Sequence, residues 1–243
     1  MNIKKILKQI GINSKFASKK LALVSPKNKN LALKILSKNL IASKKEILKA
    51  NLKDIKNAKK NLLSKSLINR LTLTNKSIDD IVKSVEDIIK IPDPIGKVLN
   101  KWTQPNGLKF KKISTPLGVI AVIYESRPNV TIDATCIALK SNNALILRGG
   151  SDSFYTSKEL VKIITDSFKE AGLPNNIIQM IPTTNREAVD HLLQMNNYVD
   201  VIIPRGGKSL IKKINEKSKI PVIKHLEGLC HIYVDKEANL EIA

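Results

Sequence analysis

The sequence predicts an α/β protein in which helices cover a parallel sheet, with a helical region and a β-hairpin ahead of it. Three observations predict this. From Pro116 onward, short apolar runs ("LGVIAVIY", "NALILRG", "NIIQMIP", "YVDVIIP", "IPVIKH") alternate with helical stretches such as "SFYTSKELVKIITDSFKEAGL". Strands without polar alternation are buried on both faces, the mark of a parallel sheet joined by crossover helices. Residues 1 to 91 instead carry apolar residues at helical spacing, as in "LALKILSKNLIASKKEILKANLKDI". Between the two, "VLNKWTQPNGLKFKKIST" places two strand-like runs around Pro105-Asn106-Gly107, a hairpin signal.

Taken in order, the helical region spans residues 1–97. Ser25 before Pro26 reads as an N-cap with proline in the first turn, and Ser43-Lys-Lys-Glu46 matches a capping box. Two prolines and a glycine in "IPDPIGKV" end it. The hairpin spans 98–115 and the α/β unit 116–243. The last segment, "CHIYVDKEANLEIA", reads as a strand, an Asp235 cap and the first turns of a helix that reaches Ala243 without a C-cap. The expectation is an incomplete chain.

A chain of 243 residues that is 42% hydrophobic is long enough to bury a core. Its net charge of +21 suggests an anionic partner. However, of 42 basic residues only five are arginine (Arg70, Arg127, Arg148, Arg186, Arg205), and the lysines are scattered among Asn and Ile. This is a compositional bias spread along the chain and not a binding face. Aromatics at 4% leave no stacking platform, so no nucleic-acid partner is expected. Two cysteines, Cys136 and Cys230, give neither a disulfide framework nor a four-ligand metal site. The basic N-terminus has no continuous apolar core, and no run approaches the roughly 20 apolar residues of a membrane span. A soluble cytoplasmic protein is expected.

Two segments carry the chemistry. "LILRGGSDS" and "VIIPRGGKSL" both place Arg-Gly-Gly between an apolar strand and a helix. Glycine admits close approach, the helix start offers N–H groups and partial positive charge, and arginine adds a planar fork suited to phosphate. Both turns, Arg148-Gly149-Gly150 and Arg205-Gly206-Gly207, therefore suggest a phosphorylated cofactor or substrate. Neither segment is a dinucleotide fingerprint or a Walker loop, and tight strand-to-helix turning is the competing role. Asn129 sits where "GVIAVIY" meets a helix starting near Pro128. Its amide either caps that helix or donates to a developing oxyanion. Cys230 and His231 are adjacent in a predicted strand, so their side chains diverge and cannot form a nucleophilic pair. Cys136 lies on an apolar helix face and reads as core. His191 and His225 have no metal-ligand spacing.

"PLGVIAVIYESRPNVTIDATCIALKSNNALILRGGSDS", "VDVIIPRGGKSLI" and "IPVIKHLEGLCHIYVD" resemble the gamma-glutamyl phosphate reductases of the aldehyde dehydrogenase superfamily. "LINRLTLT" is similar to their opening region. The resemblance implies an aldehyde-dehydrogenase-like fold and NADPH-dependent reduction of L-glutamyl 5-phosphate to glutamate 5-semialdehyde and phosphate, a step of proline biosynthesis. It implies that Arg148 to Ser151 meet the adenosine ribose and its phosphate, and that Arg205 to Lys208 open the helix nearest the NADP pyrophosphate. It further implies that Asn129 is the oxyanion donor and that the hairpin is an arm used to form a homo-oligomer. The nucleophilic cysteine of that family lies beyond "CHIYVD", so the catalytic domain is expected to be absent and the isolated chain inactive. The alternatives are a non-catalytic or regulatory partner of an intact subunit and a basic nucleic-acid-binding protein.

Overall fold

Runs of Val, Ile, Leu and Ala, ending in Tyr124 and Arg148, form two central strands that are buried at every residue, β3 (Val119–Tyr124) and β4 (Ala144–Arg148). They pair in parallel with each other, β4 pairs with β5 (Ile178–Met180), and β6 (Val201–Arg205) pairs with the other side of β3. The sheet order is β5-β4-β3-β6. The computed structural model describes residues 2–224, 231–239 and 241. Ahead of the sheet lie α1 (Ile3–Leu21), α2 (Pro26–Ala42), α3 (Lys44–Lys60), α4 (Lys65–Leu71) and α5 (Asn75–Lys90). The exposed antiparallel hairpin β1 (Val98–Thr103) and β2 (Lys109–Ile113) follows. The crossover helices are α6 (Val130–Lys140), α7 (Phe154–Glu170), α8 (Glu187–Leu192) and α9 (Lys208–Lys217).

Strand side chains alternate between two cores. Ile120, Val122, Leu145 and Leu147 pack with α2, α5, α6 and α7, whereas Val119, Ala121, Ala144 and Ile146 pack with α1, α8 and Ile214 of α9. The N-terminal helices thus cover both faces of the sheet. Polar wiring completes the attachment. Asn51 and Asp54, three residues apart on α3 and each 1% exposed, share one face. Asn51 donates to the Leu71 carbonyl and accepts from Leu73 N–H. Asp54 accepts from Tyr155 N–H at 3.1 Å, from Thr156 N–H at 2.7 Å and from the Thr156 hydroxyl at 2.6 Å. Its carboxylate therefore caps the start of α7, and burial pushes its pKa up against those hydrogen bonds.

Several local expectations hold. Ser25 accepts from Asn28 N–H ahead of Pro26, and the hairpin turns at Gly107 with φ of 86°. Others are corrected. Ser43 makes no capping box with Glu46, because α2 and α3 abut and its N–H closes α2, which fixes φ −98° and ψ 18° instead of the extended cap geometry. The capping box of this region is Thr74 with Ser77 at α5. "IPVIKH" contributes one parallel bridge, Ile202 to Val222, with two backbone hydrogen bonds beside β6. The predicted strand before Asp235 is not formed over 231–235. Those residues are exposed and have no strand partner among the described residues, and a strand needs a neighbour. Asp235 does accept from Glu237 N–H at 3.0 Å, but only a turn follows in the described residues. His225 and Cys230 lie outside the described residues.

Candidate functional site

From β3 the chain steps outward to β4 and β5, then returns to place β6 on the opposite side of β3. At such a crossover the connections leave the two strands in opposite directions, and a crevice opens beyond their carboxyl ends. A cleft of about 790 Å³ runs from there along the sheet face beside α6. Ile120 and Val122 of β3, Ile203 of β6 and Ala134, Ile137 and Ala138 of α6 form its apolar wall. Glu125, Ser126, Arg127 and Asn129 line it after β3, and Arg205, Gly206 and Gly207 line it at the end of β6. Leu67 and Arg70 reach it from α4.

Asn129 occupies the N-cap position of α6, yet its side chain makes no cap hydrogen bond. Its amide nitrogen donates to Asp133 Oδ2 at 3.0 Å, and the Ser84 hydroxyl donates to Asp133 Oδ1 at 3.4 Å. Burial raises the Asp133 carboxyl. An amide nitrogen carries two hydrogens, so one remains for the cleft. Beside it, Ser126 adopts φ of 45°, rare for a residue with a side chain, and its hydroxyl donates to Asp152. That bond holds the strained corner from which Arg127 and Asn129 project.

At the end of β6, Gly207 is extended (φ −65°, ψ 161°) and α9 starts at Lys208. Its N–H donates to Glu125 Oε2 at 3.0 Å. A Cβ on Gly206 would lie 2.7 Å from that oxygen and 2.8 Å from Leu210, so glycine permits the close approach. A carboxylate oxygen thus rests where an anionic ligand of a helix start would rest.

The two Arg-Gly-Gly turns are placed differently. The Arg148 guanidinium is 7% exposed and donates to the carbonyls of Gly149 and of Thr184, the latter at 3.1 Å, which ties two strand-end loops together. Burial first, then the neighbouring Arg186, lowers its pKa. Gly149 lies against the Tyr124 hydroxyl, Gly150 lies beside Asp152, and Ser151 begins a single 3-10 turn before α7, whose first amides Asp54 already holds. None of the four lines the cleft, whereas Asn129, Arg205, Gly206 and Gly207 do. Cys136 is fully buried with its thiol pushed up by burial, as expected of a core residue and unsuited to a nucleophile. His191 is half-buried beside Glu187. Among the described residues no group of His, Cys, Asp and Glu could hold a metal ion, and no helix is long and apolar enough to cross a membrane. Glu125, Asp133 and Arg70 were not singled out from the sequence. Arg70 alone carried a signal, as one of the few arginines in a lysine-rich chain.

A parallel sheet with a cleft at its crossover, a glycine pair opening one helix and an asparagine at the start of another defines an α/β unit of the kind whose crossover crevices hold ligands. The chain belongs to the aldehyde dehydrogenase family, whose model matches residues 27–243. Within it the chain is similar to gamma-glutamyl phosphate reductases: 45% identical to that of Bartonella quintana over 238 residues, 98% of this chain and 58% of the relative. The crystal structure of the Thermotoga maritima reductase superposes with a TM-score of 0.90 at 36% identity, covering 97% of this chain and 57% of that one. The Saccharomyces cerevisiae reductase gives 0.83 at 34%, covering 96% and 59%. The chain spans less than two thirds of the length of each.

Proposed function

We propose that the chain is the cofactor-binding part of a gamma-glutamyl phosphate reductase, which holds NADPH for the reduction of L-glutamyl 5-phosphate to glutamate 5-semialdehyde and phosphate. The observation that carries this reading is the anion-ready start of α9 inside the crossover cleft, where Gly207 N–H already holds a carboxylate oxygen. Gly206 and Gly207 would receive the pyrophosphate, with Arg205 and Lys208 flanking it. When bound, NADPH supplies the hydride that replaces the C–O bond to phosphate at the acyl carbon. Asn129 holds an N–H at the start of α6 for the oxygen of that carbon, and Asp133 fixes which end of the amide is presented. The apolar wall of Ile120, Val122 and Ile203 excludes water from the reacting carbon.

Fluorescence titration of the full chain with NADPH should give saturable binding. Gly207→Asp, which adds a fixed negative charge at the helix start, should weaken it by roughly tenfold, and Arg205→Ala should also weaken it. Glu125→Gln should tighten it by about threefold, because a neutral side chain competes less for the same amides. Unchanged affinity in all three variants would sink the assignment. In the same proposal Arg148 shapes the rim from behind, through Thr184, without itself gripping the cofactor phosphate.

A second feature bears on assembly. Both strands of the hairpin are exposed throughout, and Trp102 stacks on Phe110 with ring centroids 5.2 Å apart beside exposed Val98, Leu99 and Ile113. A two-stranded arm with exposed apolar and aromatic side chains is marginal alone and offers open edges. We propose that it joins copies of the chain into a homo-oligomer. Sedimentation velocity should show a dimer or larger species that Trp102→Asp converts to monomer, and a monomeric parent chain would remove the proposal.

A further inference from the structure

The cleft's basic residues do not follow the composition of the chain. Lysine supplies nearly all of the 42 basic residues, yet among the described residues lining the cleft the cations are Arg70, Arg127 and Arg205, and none is a lysine. A random draw from this composition would almost never give that result, so the cleft has a use for the guanidinium. Arg205 flanks the α9 start, on the cofactor side. Arg70 and Arg127 come from other elements, the last turn of α4 and the corner after β3. Both are exposed, and among the described residues neither has a carboxylate within ion-pairing distance.

Structural roles for arginine look different in this molecule. Arg148 is buried and committed to two backbone carbonyls, whereas Arg70 and Arg127 sit at an open cleft edge. A planar fork gives two parallel hydrogen bonds to a carboxylate or phosphate, which a lysine ammonium cannot reproduce.

We propose that Arg70 and Arg127 together recognise the anionic groups of the substrate, so that α4, part of the helical region and remote in sequence from the sheet, supplies a specificity residue to the cleft. The inference rests on the cleft being the reductase's site. It places the carboxylate- or phosphate-bearing substrate between α4 and the corner after β3, in the same cleft as the glycine pair that takes the cofactor. Asn129 lines the same cleft at the start of α6, two residues after Arg127, so a substrate held by Arg127 shares the cleft with its amide.

Five arginines make the test direct, since ¹⁵N-arginine labelling of the full chain gives five Nε–H signals, assigned by single Arg→Lys variants. Inorganic phosphate and L-glutamate are titrated separately as probes. The Arg70 and Arg127 signals should move together and saturate with one apparent Kd, while Arg186 stays still. Arg70→Gln should weaken the binding reported at Arg127 by about tenfold, and Arg70→Lys should recover only part of it. Circular dichroism should show unchanged thermal stability for these exposed-site variants. Arg70 signals that stay still, or that move linearly like those of a surface residue, overturn the inference. NADPH titration separates the two readings. If NADPH saturates while Arg70 ignores both anions, this inference fails and the cofactor assignment stands. If Arg70 and Arg127 bind the anions while NADPH never saturates, the cofactor assignment fails and the arginine clamp stands.

Discussion

Gly118→Ala should lower the unfolding free energy by about 3 kcal/mol, seen as a fall in Tm of about 10 °C. Gly118 adopts φ of 120°, a region closed to residues with a side chain. An added Cβ would lie 2.2 Å from Asp200 Oδ2. That carboxylate cannot step aside without loss, because Oδ2 accepts from Val119 N–H at 2.8 Å and Oδ1 from Lys15 at 2.7 Å. Gly118 itself is held by Asn143 Oδ1 and by Ala144 N–H, so the start of β3 is fixed from three sides. Gly118 is at the amino end of β3 and does not line the cleft. NADPH affinity measured well below the transition should therefore be unchanged, and a stability loss under about 1 kcal/mol would contradict the account.

Lys29→Met should cost about 3 kcal/mol, because it strands the partners of a buried ammonium. Lys29 is 1% exposed, donates to the Lys140 carbonyl at 2.9 Å and to Asn142 Oδ1, and pairs with Asp93 at 2.6 Å. Asn142, at φ of 55°, passes the connection on to the Leu21 carbonyl at 2.7 Å. This cluster joins the α1–α2 corner, the loop after α5 and the end of α6. Denaturant unfolding of Lys29→Met and of Lys29→Met with Asp93→Leu should show the double variant recovering roughly half of the loss, because it removes the uncompensated charge. Additive losses would mean that the pair is not coupled.

Neither the Lys29 cluster nor the Asp54 cap of α7 was visible in the sequence. Lys29 belongs to "PKNKN" and Asp54 to "NLKDIKNAKK", where nothing in the sequence sets them apart from their polar neighbours. Helical spacing shows which residues share a face but not whether that face meets water or another element's amides. The sheet was legible because buried parallel strands must be apolar throughout: β3, β4 and β5 fall within their predicted runs and β6 extends one residue past its own. Hairpin and Ser25 cap were legible because their signals are local. Ser43 failed for a non-local reason: its cap geometry depended on how closely the preceding helix ended.

By itself the sequence determined the order of helical region, hairpin and parallel sheet, the two Arg-Gly-Gly turns and the position of Asn129 at a strand-to-helix corner, all set by periodicity and by backbone needs within a few residues. Tertiary structure alone decided that the turns differ. One is closed by Asp54 from about a hundred residues upstream, with Arg148 drawn onto carbonyls, while the other opens into the cleft with Glu125 resting on its first amide. The same structure brought Arg70 to that cleft. A helix start binds whatever acceptor packing delivers to it, and that delivery depends on contacts between residues far apart in the chain.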